Sequence, residues 1–227
     1  MKILASDFDK TLYIDDMVNF EKNIVSINRF IKSGNIFIIV TGRSYFDIKI
    51  LLNKYSIPYT YLICEDGAKI YNSNDYCIYT KMINSDIVSD IINLINKNKY
   101  NYLLDDGYNY TNNVNDCVKI DIPYNNWDNA CTLLKQIKDN YNIEGYISEH
   151  YINITGASVN KKNALSTLCN IENLNNKLYV IGDDINDLEM IEYFDGVIMD
   201  KHSTILDKLN KPIVKYLYLY IEELSKD

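Results

Sequence analysis

The chain has 227 residues, 47% of them apolar and 24% charged, with a formal net charge of −8. That length is long for one simple domain and short for two full ones, so a core with a modest insertion fits it best. The acid excess argues against nucleic acid or an anionic membrane as the main partner, but a local cation can still hold a small phosphorylated ligand in one cleft.

The first apolar run, residues 3–5, reads as a buried strand that ends in Asp7 and Asp9. A helix follows between Asn19 and Gly34, with Ile24, Ile27 and Ile31 on one face, Asn19 as its N-cap and Gly34 as its stop. Ile36–Val40 is a second strand, Tyr45–Tyr55 a helix, and Tyr61–Cys64 a third strand. Residues 80–155 break this rhythm. They hold a helix at Ser85–Lys97, strands near 100–104 and 114–122, a helix at Trp127–Asn140 and a strand-like end at 152–154. The rhythm then resumes with a helix at 163–169, a strand at 178–181, a helix at 187–193, a strand at Val197–Met199 and a last helix at 214–224. Alternating strands and helices predict an α/β fold with a parallel sheet, built from residues 1–79 and 156–227, with an α+β insertion at 80–155.

There are five cysteines, an odd number, and none forms a CxxC pair. They read as reduced thiols in small buried positions of a cytoplasmic protein. Apolar runs such as Ile36–Val40 are far too short to span a bilayer, and the first residues lack a signal-peptide pattern.

In a parallel sheet the ligand crevice lies beyond the carboxyl ends of the strands. Those ends carry Asp7, Asp9 and Thr11; then Thr41, Gly42 and Arg43; then Glu65, Asp66 and Gly67; then Gly182, Asp183, Asp184, Asn186 and Asp187. Two like charges at ~4 Å repel by about 4 kcal/mol even at an effective dielectric near 20. Carboxylates gathered there therefore need a cation, and a hard divalent ion such as Mg2+ suits oxygen ligands beside phosphate and water. His150 and His202, the only histidines, have no ligand-like spacing, which argues against zinc. Each motif also has a plainer reading: DFDKTL as a solvated turn, Thr41 as a helix N-cap, GDDIND as an acidic loop.

In order, DFDKTL, VTGR, the lysine of SVNKKNAL and GDDIND resemble the four motifs of the haloacid dehalogenase (HAD) superfamily of phosphohydrolases. The insertion that follows ICEDGAKIY resembles that superfamily's C2B-type, Cof-like cap. The resemblance implies a Rossmann-like core and a Mg-dependent phosphomonoester hydrolase acting on a small phosphorylated metabolite, such as a sugar phosphate or phosphoglycolate. It implies Asp7 as nucleophile and Asp9 as general acid and base. Metal ligation would fall to the Asp7 carboxylate, the Asp9 backbone carbonyl and Asp183, with Thr11 and Asp187 orienting the groups around them. Thr41, Gly42, Lys161 and Asn186 would hold the phosphoryl group. A lysine followed by two residues and Ala-Leu selects Lys161 over Lys162, which stands where relatives usually carry glycine. Lys10 likewise stands where many relatives carry glycine, and Asp66 replaces an asparagine common in the Cof-like group. Arg43 and Asp66 are candidates for substrate contact. Phosphomutase-type transfer on the same fold is the alternative reaction. A phospho-accepting signalling domain is disfavoured, because there the accepting aspartate follows a central strand and no cap intervenes. Nothing in the sequence sets an oligomeric state.

Overall fold

The computed structural model describes residues 1–226. Strand β1 (Ile3–Asp7) is buried along its whole length, because it is flanked on both edges and covered on both faces. Helix α1 (Met17–Lys32), strand β2 (Ile36–Val40), helix α2 (Tyr45–Tyr55) and strand β3 (Tyr61–Cys64) follow. After one turn of 3-10 helix at Glu65–Gly67, strands β4 (Lys69–Asn72) and β5 (Cys77–Thr80) extend the sheet antiparallel. The chain then leaves this sheet for α3 (Ser85–Lys97), β6 (Leu103–Asp105), β7 (Tyr110–Thr111), β8 (Lys119–Pro123), α4 (Trp127–Asn140), β9 (Ile143–Ile147) and β10 (Tyr151–Gly156). It returns through α5 (Lys161–Ile171), β11 (Leu178–Gly182), α6 (Leu188–Tyr193), β12 (Val197–Met199), β13 (Ile213–Val214) and α7 (Leu217–Leu224).

The first sheet has the order β13-β12-β11-β1-β2-β3-β4-β5, parallel from β13 to β3. Its strands read as unbroken apolar runs because both faces are covered. Leu4, Phe37, Ile39 and Leu62 pack toward α1, α2 and α7. Ile3, Ala5, Ile38, Val40 and Ile63 pack toward α5 and α6. The second sheet, β7-β6-β8-β10-β9, is antiparallel throughout and two-faced. Ile120, Ile122, Ile152 and Ile154 cover one face against Val88, Ile91 and Ile95 of α3 and Leu133 and Ile137 of α4.

Several sequence expectations change. Helix α1 is capped by Asp16, whose side chain accepts the Asn19 N–H at 3.2 Å, so Asn19 lies inside the first turn. Both residues suit an N-cap, and the local pattern alone does not separate two candidates three positions apart. Gly34, at φ +81°, lies just past the helix end, as the stop signal requires. Val214 belongs to edge strand β13, paired through Met199, so the last helix starts three residues later than its apolar face suggested. Strands β4, β5, β7 and β9 are short and partly exposed, and their apolar signal is weak. Of the cysteines, Cys64 and Cys117 are buried, Cys169 is half-buried, and Cys77 and Cys131 are exposed, so only part of the set are core residues. Among the described residues no helix is long and apolar enough to cross a membrane.

Candidate active site

The carboxyl ends of β1, β2, β3 and β11 meet at one edge of the first sheet, bringing together Asp7, Thr41, Asp66 and Asp183 from four parts of the chain. Lys161, the first residue of α5, is 1% exposed, and its Nζ donates to Asp7 Oδ1 and to Asp187 Oδ1, each at 2.6 Å. Lys162 instead lies over the Tyr193 ring, 5.4 Å from its centroid. Asp187 is fully buried, and its second oxygen accepts the backbone N–H groups of Asp183 (2.9 Å) and Asp184 (3.1 Å). Gly182 makes room for this: a Cβ there would sit 2.4 Å from Asp187 Cγ. Asp183 Oδ1 accepts the Thr11 hydroxyl at 2.8 Å. Asp184 is half-buried and caps the 3-10 turn Ile185–Asp187.

The charges do not balance. Burial would by itself lower the Lys161 pKa, but Asp187, Asp7 and Asp66 hold it well above the usual lysine value. Burial, with Asp187 and Asp183 nearby, pushes Asp7 up against the opposing pull of Lys161. Burial and the charge of Asp187 push Asp183 up to about 7. Asp7, Asp183 and Asp187 can each present an oxygen within 4.8 Å of the others, with one lysine to offset three acids. Asp187 has both oxygens committed, so Asp7 and Asp183 are the carboxylates free to take a further cation. An all-oxygen anionic donor set fits Mg2+.

Asp9 lies at the mouth of this pocket. Arg43 donates to it through Nε (2.8 Å) and Nη2 (2.7 Å), a two-bond clamp with both partners partly exposed. Thr41 is buried, and its hydroxyl accepts the Arg43 N–H at 3.1 Å; the N-cap of α2 is Ser44. Lys10 is exposed, with φ +62°, a left-handed conformation in which glycine carries no side-chain penalty. Glu65 and Asp66 also have positive φ, at 50° and 55°. Aspartate and asparagine tolerate that region better than most residues.

Asp66 is 4% exposed and held from three sides. Tyr146 OH donates to both of its oxygens at 3.1 Å, Asn186 Nδ2 donates at 2.9 Å, and Lys119 Nζ lies 3.2 Å away. Lys119 and Lys161 outweigh the effect of burial and keep the Asp66 pKa below its usual value. Asn186, expected at a phosphoryl oxygen, thus has its amide turned to Asp66 and Tyr146. Lys119, Asp121, Tyr146 and Asn153 were not singled out from the sequence. They lie on the second sheet, opposite in register or one strand apart, and line the same cleft of ≈ 470 Å³ as Asp7, Asp9 and Asp183. The available signal was the alternation of polar and apolar residues in KIDIP and YINITG, which marks a sheet with one wet face.

A family model for haloacid dehalogenase-like hydrolases matches residues 4–128 and 104–216. The 5-amino-6-(5-phospho-D-ribitylamino)uracil phosphatase YwtE of Bacillus subtilis is 27% identical over 245 residues, covering 85% of each chain. A Mycoplasma capricolum protein without an assigned function is 28% identical over 272 residues, covering 99% of each. Among solved structures, a haloacid dehalogenase-like hydrolase from B. subtilis superposes with a TM-score of 0.85 at 16% identity, covering 99% of this chain and 100% of the other. A sugar phosphatase of HAD subclass IIB superposes at 0.79 with 14% identity, covering 100% and 98%. The chain belongs to the haloacid dehalogenase-like hydrolase family.

Proposed function

We propose that this member of the family is a Mg-dependent phosphomonoesterase acting on a small phosphorylated metabolite, with residues 80–155 forming a C2B-type cap over a core of residues 1–79 and 156–227. The carrying observation is the buried set Asp7, Lys161, Asp183 and Asp187, in which one lysine ties two acids together and leaves a surplus of negative charge. Asp7 attacks phosphorus, the bond to the leaving oxygen breaks, and an aspartyl-phosphate forms. Asp9 gives its proton to the leaving oxygen, then takes one from the water that releases inorganic phosphate and restores Asp7. To do so its carboxyl must exchange Arg43 for the leaving oxygen. Thr41, the Gly42 amide and Lys161 bind the phosphoryl oxygens as charge spreads over them. Asn186 completes that set after releasing Asp66. Asp7, Asp183 and the Asp9 carbonyl would hold Mg2+, which supplies charge neutralisation to the phosphoryl group when bound. YwtE and the subclass IIB sugar phosphatase are both named for phosphorylated small molecules, which supports this substrate class.

Phosphate release from p-nitrophenyl phosphate tests the reading. The wild type should turn over with Mg2+ and lose activity with a chelator. Asp7→Asn should lose at least about 10³-fold in kcat while melting at the wild-type temperature or above. Metal-dependent turnover at the wild-type rate by that variant would falsify the assignment of Asp7.

A further inference from the structure

The cleft has two walls. Asp7, Asp9 and Asp183 stand on the first, supplied by the first sheet, and Lys119 and Tyr146 on the second, supplied by the second sheet. Asn186 lines this cleft and also a smaller cavity of ≈ 220 Å³, which Asp66 and Lys161 line with it. Its side chain stands between the two spaces. Its Nδ2 donates to Asp66 Oδ1 at 2.9 Å, with the Tyr146 hydroxyl at 3.2 Å.

The path of that bond is informative. Asp66 follows β3 and Asn186 follows β11, and both β1 and β2 lie between those strands in the sheet. The bond therefore reaches across the strand ends that carry Asp7 and Thr41. It joins two residues of the first sheet's edge, so it does nothing to fasten the second sheet; Lys119 and Tyr146 already do that for Asp66. Asp66 also sits against the proposed phosphoryl loop. Its backbone N–H donates to the Thr41 carbonyl at 3.1 Å, and a Cβ on Gly42 would lie 3.0 Å from its Oδ1. Burial opposes its charge, but Lys119 and Lys161 outweigh burial and keep the carboxyl ionised. An ionised carboxylate is thus bonded to an amide that a phosphoryl oxygen would use, and one N–H cannot serve both acceptors with full strength.

We infer that Asp66 is a built-in competitor of the phosphoryl group: it holds Asn186 across the ends of β1 and β2, and a phosphate must take Asn186 from it to bind. The inference rests on the phosphatase reading and deepens it. Asp66 acts through Asn186 and not on the reacting atoms, so it is a positioning residue. Its effect is to weaken the hold on inorganic phosphate and so to limit inhibition by the product.

Inhibition of p-nitrophenyl phosphate turnover by inorganic phosphate, with Mg2+ present, tests it. Asp66→Asn should lower the Ki for phosphate at least fourfold, and KM should fall in the same direction. In an Asn186→Ala background the same substitution should lower Ki less than twofold, because the contested amide is gone. Asp66→Gly suits the φ of 55° and offers no carboxylate; it should lower Ki as well, and it decides the matter if the asparagine variant does not fold. A merely structural Asp66 predicts a raised or unchanged Ki with a lower kcat. A folded variant whose Ki falls less than fourfold, or that like the wild type is not inhibited by phosphate at all, overturns the inference. So does a gain of twofold or more in the Asn186→Ala background. If the wild type releases no phosphate from p-nitrophenyl phosphate, the phosphatase reading itself falls and takes this inference with it.

Discussion

Lys161 and Lys119 are both buried lysines set among acids, the first at the start of α5 on the first sheet, the second on β8 of the second sheet. Lys161 makes two short bonds, both to carboxylates within the first unit. Lys119 makes its shortest bond to a backbone carbonyl across the cleft and shares Asp66 with Tyr146 and Asn186. Burial would lower both pKa values, and in both cases the surrounding carboxylates reverse the sign and keep the ammonium charged. The same ion thus serves two ends. Lys161 is held between two acids at the edge of the first sheet, where the proposed reaction would need positive charge; Lys119 fastens one sheet to the other.

Removing each lysine should separate the two roles. Lys161→Met takes away the cation beside Asp7, the proposed nucleophile, and kcat for p-nitrophenyl phosphate should fall by about 10²–10³. Breaking a buried pair on one side also costs roughly 3–5 kcal/mol, which thermal unfolding will show. A kcat within tenfold of wild type would make Lys161 a structural counterion only. Lys119→Met should cost about 3 kcal/mol of stability by the same reasoning, but its kinetic loss should fall mainly on KM, since it touches the second wall and not Asp7. A kcat loss equal to that of Lys161→Met would erase the distinction.

The smallest effect belongs to Glu65, beside Lys119, whose Oε1 is buried without a partner. Burial raises its pKa well above 4.5, against the pull of Lys119. The folded state therefore holds this proton more tightly than the unfolded state, and stability is lost as pH rises from about 4.5 through the folded value. Glu65→Gln removes that loss. The variant should gain about 1 kcal/mol at pH 8, or roughly 2–4 °C in Tm, and nothing at pH 4. Melting curves between those values check it; equal shifts at both ends would assign the gain to packing. Asp105 and Asp121 are raised in the same direction, so some slope will remain.

Much of the first sheet was legible because it is buried on both faces. Ile36–Val40 and Tyr61–Cys64 stand as apolar runs bounded by polar residues, and such runs announce their own ends. The residues just beyond them follow at once, since a parallel sheet gathers its carboxyl ends. Strand β9 was not legible: IEGYI has one buried position, and its pairing with β10 decides its state. Val214 carried a helical face and became an edge strand because Met199 offered it a ladder.

The sequence by itself determined the order of acids, hydroxyl and lysine along the sheet edge, because a parallel sheet gathers the residues that follow its strands; the preference for Lys161 over Lys162 came from the family resemblance. Only the tertiary structure decided which charge meets which. Asp9 pairs with Arg43 across 34 positions, Asp66 with Tyr146 across 80, and Lys119 with Gly42 across 77. A Coulomb or hydrogen-bond energy depends on separation in space and on burial, and neither is written in sequence distance. For that reason DFDKTL could be nominated as part of a reaction centre from the chain and its family resemblance, whereas the meeting of Lys119, Asp66 and Tyr146 came into view only when β8 and β9 were laid against the cleft.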